Sequence, residues 1–247
     1  MTAVIESLSL VNLIFATGVI CLAYLVRGIA GFGSGLIAIP LLALMMPLTM
    51  AVPLIVFLDY IASASHGIKH REAIQWREII SLLPFAIIGV LTALFIFRSV
   101  DMEALKMGLG AFVLLFAVYS LFSFSRNTLV SSLWSVPAGS MGGLIGTLYG
   151  TGGPFYVLYL KFRKIEKTQF RATFATMFLL DGAGRIVGYV FSGFFSLDLM
   201  LMMAVAIPLM VIGMFIGGHI HTNMSQQTFQ RAISILLVFS GLALLLK

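Results

Sequence analysis

Four stretches of this chain, 79–97, 104–124, 170–195 and 197–218, stay apolar over about the 20 residues that a helix needs to cross the hydrocarbon core of a bilayer. A fifth, 229–246, comes close to that length, and further apolar runs cover 8–26, 35–47, 50–66, 133–149 and 154–162. A water-soluble globule of this size has too much surface to hide so many segments. Only 10% of the residues are charged, where a soluble domain carries about a quarter. An all-α polytopic membrane protein is the expected class, with the lipid bilayer as its surroundings. The net charge of +6 then marks cytoplasmic loops and gives no reason to expect nucleic acid. The single cysteine, Cys21, lies in an apolar run and reads as a packing residue.

Two glycine-rich stretches interrupt this pattern. The first is Gly28-Ile29-Ala30-Gly31-Phe32-Gly33-Ser34-Gly35; the second runs from Gly142 to Pro154 and contains Gly150-Thr151-Gly152-Gly153. Each is followed by an apolar run too short to cross, 35–47 and 154–162. With the run before it, each reads as a helical hairpin that is re-entrant or sharply broken.

The two stretches belong to a longer internal repeat. Pro84-x-x-x-Ile88-Gly89 matches Pro208-x-x-x-Ile212-Gly213, Asp59 matches Asp181, and Gly33-Ser34-Gly35 matches Gly150-Thr151-Gly152, at offsets of 124, 122 and 117 residues. The order is collinear, so a duplication is expected, with repeat 1 over residues 1–126 and repeat 2 over 127–247. Each repeat would hold one glycine-broken hairpin and three transmembrane helices.

Loop charge sets the expected orientation of the copies. Loop 67–78 carries Lys69, Arg71 and Arg77, and loop 161–171 carries Lys161, Arg163, Lys164, Lys167 and Arg171. Their counterparts in the other copy, around 193–198 and 46–52, carry no basic residue. Equivalent loops on opposite sides of the membrane make inverted repeats. Loops 67–78, 125–131, 161–171 and 219–228 would be cytoplasmic. Arg98 and Lys106 fall on the outer side in this scheme, near Asp101 and Glu103.

The chemistry follows from the breaks and from the charges inside apolar runs. A half-helix that starts within the membrane offers free N–H groups and a positive dipole end to an anion. Gly33, Ser34 and Gly35 open one such helix; Gly150, Thr151, Gly152 and Gly153 open the other, with Pro154 expected at its first position. Ser34 and Thr151 would add hydroxyl donors at equivalent places. Gly28, Gly139 and Gly143 are explained as well by close helix packing. Arg27, Asp59, Asp181 and Arg185 are costly in a bilayer unless paired or hydrated. Asp181 and Arg185, four apart, share a helix face and can pair. Arg27 could balance Asp59, or one arginine could keep charge for the substrate. His66 is a candidate for proton coupling beside Asp59 and Asp181.

No metal-ligand cluster or nucleotide loop is present, so no metal or other cofactor is expected, and an ion or substrate gradient would supply the energy. An intramembrane hydrolase built on Ser34 and His66 is the competing enzyme reading. Against it, Thr151 repeats the hydroxyl, which suits a binding site better than a single nucleophile. A non-transporting assembly factor would leave the intramembrane charges unexplained.

At Gly28-x-x-Gly31-Phe32-Gly33-Ser34-Gly35 with Pro40, and at Gly146 through Pro154, the chain resembles the sulfite exporter TauE/SafE family, also called the toluene sulfonate uptake permeases. The resemblance covers nearly the whole chain. It implies a multi-pass permease of a bacterial or archaeal plasma membrane for sulfite or related organosulfonates, and it leaves room for a homo-oligomer.

Overall fold

The structure is a computed structural model that describes residues 10–31, 33–67, 71–121, 130–220 and 226–246. Among the described residues there are ten α-helices and no strand. They are α1 (Leu10–Ala30), α2 (Ser34–Ala43), α3 (Leu48–Gly67), α4 (Trp76–Ser99), α5 (Met102–Leu121), α6 (Ser135–Tyr149), α7 (Gly153–Phe162), α8 (Lys167–Phe191), α9 (Leu197–His219) and α10 (Gln226–Leu246). Short 3₁₀ turns at Arg71–Ala73 and Ser132–Trp134 precede α4 and α6.

The spans Trp76–Ser99, Met102–Ser120, Thr168–Phe191 and Leu197–His219 are long and apolar enough to cross a membrane, as expected. Among the described residues Asn12–Ile29 is a fifth such span. The two segments following the glycine breaks form ten-residue helices, α2 and α7. Ten residues rise about 15 Å, half the hydrocarbon thickness.

The chain forms two compact units, each assembled from separate stretches of sequence. The first comprises Met1–Ile55, Val100–Phe124 and Phe195–Lys247; the second comprises Val56–Ser99 and Ser125–Phe194.

In the first unit α1 packs along α9 and α5 along α10, while α2 lies against α1, α5 and α10. The α1–α9 crossing is made by glycine. A Cβ on Gly28 would sit 2.7 Å from the Met214 carbonyl oxygen, and one on Gly213 would sit 3.0 Å from that of Cys21. Position 213 faces 21–25 and position 217 faces 25–28, so the two helices run parallel.

In the second unit α4 packs along α6 in the same manner. A Cβ on Gly139 would sit 2.6 Å from the Leu82 carbonyl oxygen, Gly143 lies against Ala86, and Gly89 against Ser140 and Leu144. The packing reading of Gly28, Gly139 and Gly143 therefore holds. Gly89 and Gly213, the two repeat-motif glycines, occupy matching crossings in different units. Close approach replaces the hydrophobic driving force that lipid does not supply.

The second unit has a distinct polar end. The Gln75 N–H donates to Thr173 Oγ1 at 2.9 Å, which brings the start of α4 to the start of α8. Arg163, just past α7, donates through Nε (2.9 Å) and Nη2 (2.8 Å) to Glu78 Oε1 and through Nη1 (3.0 Å) to the Val130 carbonyl. The Tyr159 hydroxyl donates to Glu78 Oε2 at 2.6 Å. The Val130 N–H donates to the Phe162 carbonyl at 3.4 Å. Thus α4, α6 and α8 all begin at this end, α7 finishes there, and α3 finishes three residues before the 3₁₀ turn that leads into α4.

The α6–α7 hairpin therefore enters and leaves by the same end, so it is re-entrant. Its tip lies about 15–22 Å along its two arms, by their rise per residue. A core of Ile79, Leu82, Ala86, Tyr156, Tyr159, Leu160 and Met177 holds α7 against α4 and α8.

Candidate functional site

The tip of the re-entrant hairpin is the tripeptide Gly150-Thr151-Gly152. Gly150 ends α6 in the left-handed region (φ +63°), which an L side chain adopts only with strain. Gly152 caps α7, and Pro154 is the second residue of that helix, not the first as expected. Either position lies among the N–H groups that lack a helical partner, so the fit of proline is unchanged.

Around the tip the second unit gathers the charged pair that the sequence singles out. Arg185 and Asp181, both on α8, are buried and joined through Nη2 and Oδ2. Arg185 Nη2 also donates to the Gly142 carbonyl at 3.1 Å, and the Tyr156 hydroxyl donates to Asp181 Oδ2 at 2.9 Å. Tyr189, one turn beyond Arg185, donates to the Thr147 carbonyl at 2.6 Å. Arg185 Cζ stands 5.8 Å from the centre of the Phe178 ring.

The glycines make this arrangement possible. Gly146 lies directly against the Arg185 guanidinium, Gly142 against the Tyr156 ring, and a Cβ on Gly152 would sit 2.7 Å from Arg185 Nη2. The motif thus admits an arginine side chain to the inside of a helix break. Sequence reasoning found both partners but missed this use of Gly142 and Gly146. It also missed Tyr156 and Tyr189, which an apolar run rich in aromatics does not distinguish from packing residues.

Three buried polar atoms here have no hydrogen-bond partner among the described residues: Thr151 Oγ1, Arg185 Nε and Asp181 Oδ1. Two of them are donors. Leaving a buried donor unsatisfied costs about 1–3 kcal/mol, so the site is chemically prepared for an acceptor.

The first unit holds the other break. Gly31 (φ +83°) follows α1, and Gly33 (φ +100°) caps α2, both in the left-handed region. Arg27, in the last turn of α1, donates through Nη1 to Ser34 Oγ at 3.0 Å. Both are buried. The side chain thereby crosses from the end of one helix to the start of the next. Gly35 is the second residue of α2 and is also buried.

The two hydroxyls do not occupy equivalent places. Each break is three residues long, 31–33 and 150–152; Ser34 is the first residue of α2, whereas Thr151 is the middle residue of its break. The helix ends correspond at an offset of 119, which pairs Ser34 with Gly153 and Gly33 with Gly152. The sequence match of Gly-Ser-Gly with Gly-Thr-Gly is out of register with the helices by two residues.

Asp59 lies within α3, buried, and its backbone carbonyl accepts from Ser63 Oγ at 2.8 Å. His66 falls in the last turn of α3, and its side chain lies outside the described residues. No group of three or more His, Cys, Asp or Glu able to hold a metal occurs among the described residues.

Comparison with known proteins decides the class. The family described as Sulfite exporter TauE/SafE matches residues 15–244. The chain belongs to that family. It is 27% identical over 197 residues to the probable inner membrane transporter protein TsaS of Comamonas testosteroni, covering 77% of this chain and 81% of the relative. No solved structure matches. With five helices among the described residues long and apolar enough to cross a membrane, and membership of an exporter family, the chain is a multi-pass membrane transporter and not an enzyme.

Proposed function

We propose that this transporter carries small sulfur-containing anions, sulfite or organosulfonates, across a bacterial or archaeal inner membrane. The family's description and the relative's location motivate that class and place. Each unit supplies one anion station: Gly33, Ser34 and Gly35 with Arg27 in the first, and Gly150, Thr151, Gly152 and Gly153 with Arg185 in the second. An ion gradient or the substrate's own gradient drives transport, with Asp59, Asp181 and His66 as the candidate coupling groups.

One observation carries the reading. At the second station two buried donors, Thr151 Oγ1 and Arg185 Nε, lack acceptors at the start of a half-helix. The oxygens of a sulfite or sulfonate are acceptors, and the helix start adds backbone N–H groups and a positive dipole end. Asp181 offsets the charge of Arg185, so recognition here rests on directed donors more than on net charge. The polar end of the second unit gathers Arg71, Arg77, Lys161, Arg163, Lys164 and Arg171, in keeping with a cytoplasmic face. Into that end runs α3, and out of it runs α8, its repeat counterpart. That opposition supports inverted repeats.

The test is uptake of labelled sulfite and several sulfonates into proteoliposomes, with and without a proton gradient. Thr151→Val keeps the side-chain shape and removes the donor. A hydrogen bond to a charged group is worth about 1.5–3 kcal/mol, so KM should rise roughly tenfold or more with little loss of fold. Unchanged KM for every transported anion would remove Thr151 from the site. Absence of transport for all these anions by the wild-type protein would overturn the substrate class.

A further inference from the structure

The second unit contains a groove that shares only Asp181 with the second anion station. It has a volume of about 580 Å³ and lies between α4 and α8. Apolar side chains from Leu83 to Phe95 on α4 and from Leu180 to Phe191 on α8 line it. The space above Gly184 is open: a Cβ there would meet nothing within 4 Å. From Leu83 to Arg98 the groove is about 22 Å long by helical rise, which exceeds one leaflet's share of the hydrocarbon core, about 15 Å.

Its two ends differ: the carboxylate at one is buried in an ion pair with Arg185, and the guanidinium at the other is exposed. Asp181 lies at the inner end, and Arg98 with Ser192 at the outer end. Arg98 is exposed, and Nη2 donates to the Phe191 carbonyl at 3.5 Å. Among the described residues of its unit no carboxylate pairs with it, so most of its five N–H donors remain available. The carboxyl ends of α4 and α8 meet at this mouth, and both are the negative ends of helix dipoles. Without Arg98 the mouth would repel an anion. With it, a fork of donors suited to phosphate stands where the chain leaves the hydrocarbon.

We propose that this groove holds one acyl chain of an anionic phospholipid, with the headgroup phosphate on Arg98. Arg98 fixes the direction: it attracts an anionic headgroup to the outer mouth, whereas Asp181 at the inner end is neutralised by Arg185 and offers it nothing. The mouth is at the end of the unit opposite its basic loops, where the positive-inside pattern gives no reason for an arginine. Lipid binding supplies that reason. The inference does not depend on which anion is transported.

The experiment is native mass spectrometry of the detergent-purified protein titrated with phosphatidylglycerol or with phosphatidylcholine of the same chains. Wild type should retain one phosphatidylglycerol at least fivefold better than phosphatidylcholine. Arg98→Ala should abolish or reverse that preference, and Arg98→Lys should restore part of it. Gly184→Phe should fill the groove and lose the retained lipid of either kind. Leu91→Trp, on an exposed position of the same groove, serves if Gly184→Phe fails to fold. Lys161→Ala/Lys164→Ala, at the other end of the unit, should leave retention as in wild type. Equal retention of the two lipids by wild type would overturn the proposal. So would an unchanged preference in Arg98→Ala, or loss of preference in the lysine variant alone.

Discussion

Arg185 is a fully buried guanidinium that reaches its place only because three positions around it lack side chains. Gly146 admits its end group, Gly152 its flank, and Gly142 both yields its carbonyl and makes room for Tyr156. Gly146→Ala should therefore expel the guanidinium or part the helices, and transport should fall by tenfold or more. Gly18→Ala, whose Cβ would meet nothing within 4 Å, should leave both stability and transport unchanged. Equal loss in the two variants would refute the argument. Removing the arginine itself is less informative. Arg185→Ala strands Asp181 as an uncompensated buried charge, at a cost of about 3–5 kcal/mol. Arg185→Ala/Asp181→Ala removes the charge and should recover most of the melting temperature while transport stays low. If the double variant regains transport as well as stability, the pair holds the helices in register and contacts no substrate.

At the scale of elements, two devices fix the re-entrant hairpin of the second unit. One is the glycine-lined α4–α6 crossing, where Gly89, Gly139 and Gly143 allow backbone contact. Leucine at Gly143 would collide with the backbone of Ala86, and Gly89→Leu or Gly143→Leu should prevent assembly or lower the melting temperature sharply. The other device is the Arg163–Glu78–Tyr159 clamp, which ties the end of α7 to the start of α4. Glu78→Ala removes three charge-assisted hydrogen bonds at a half-buried place. It should cost roughly 2 kcal/mol, or about 4–8 °C in a thermal melt. Glu78→Gln should cost less, because Tyr159 keeps an acceptor. A melt unchanged by Glu78→Ala would show that the clamp adds nothing. The sequence declared the long spans, both short half-helices and the Asp181–Arg185 pair, because length, hydrophobicity and i,i+4 spacing are local properties. It did not declare the clamp, since Glu78 and Arg163 are 85 residues apart and each reads as an ordinary loop-edge charge. The two-residue shift between Ser34 and Thr151 was hidden for a related reason. Glycine permits several break geometries, and a motif match does not say which glycine carries the turn.

At the scale of the molecule, the basic loops decide how transport can be organised. The chain reaches the polar end of the second unit at 71–78, at 130–134 and at 161–173, through hydrogen bonds that join all three segments. These segments must therefore share one face of the membrane. In the proposed topology, which rests on their Lys and Arg content, that face is the cytoplasmic one. In a background with Cys21 replaced by alanine, Arg77→Cys, Leu133→Cys and Lys164→Cys should all react with a membrane-impermeant thiol reagent from the cytoplasmic side only. Ser192→Cys, at the far ends of α4 and α8, should react only from outside. Reaction of residues 77 and 164 from opposite faces would break the unit as described and would also remove the charge argument for an inverted second copy. If all four react as expected, one consequence follows for the hairpin. Its tip is tethered to the cytoplasmic face by both arms and by the Glu78 clamp, so access from outside must come from motion of the helices around it. Cysteine at position 151 should then change its reactivity toward the external reagent when substrate is added, whereas the reactivity of positions 77 and 164 should stay constant. A constant reactivity at 151, in a preparation that transports, would place the moving part of the cycle away from this hairpin.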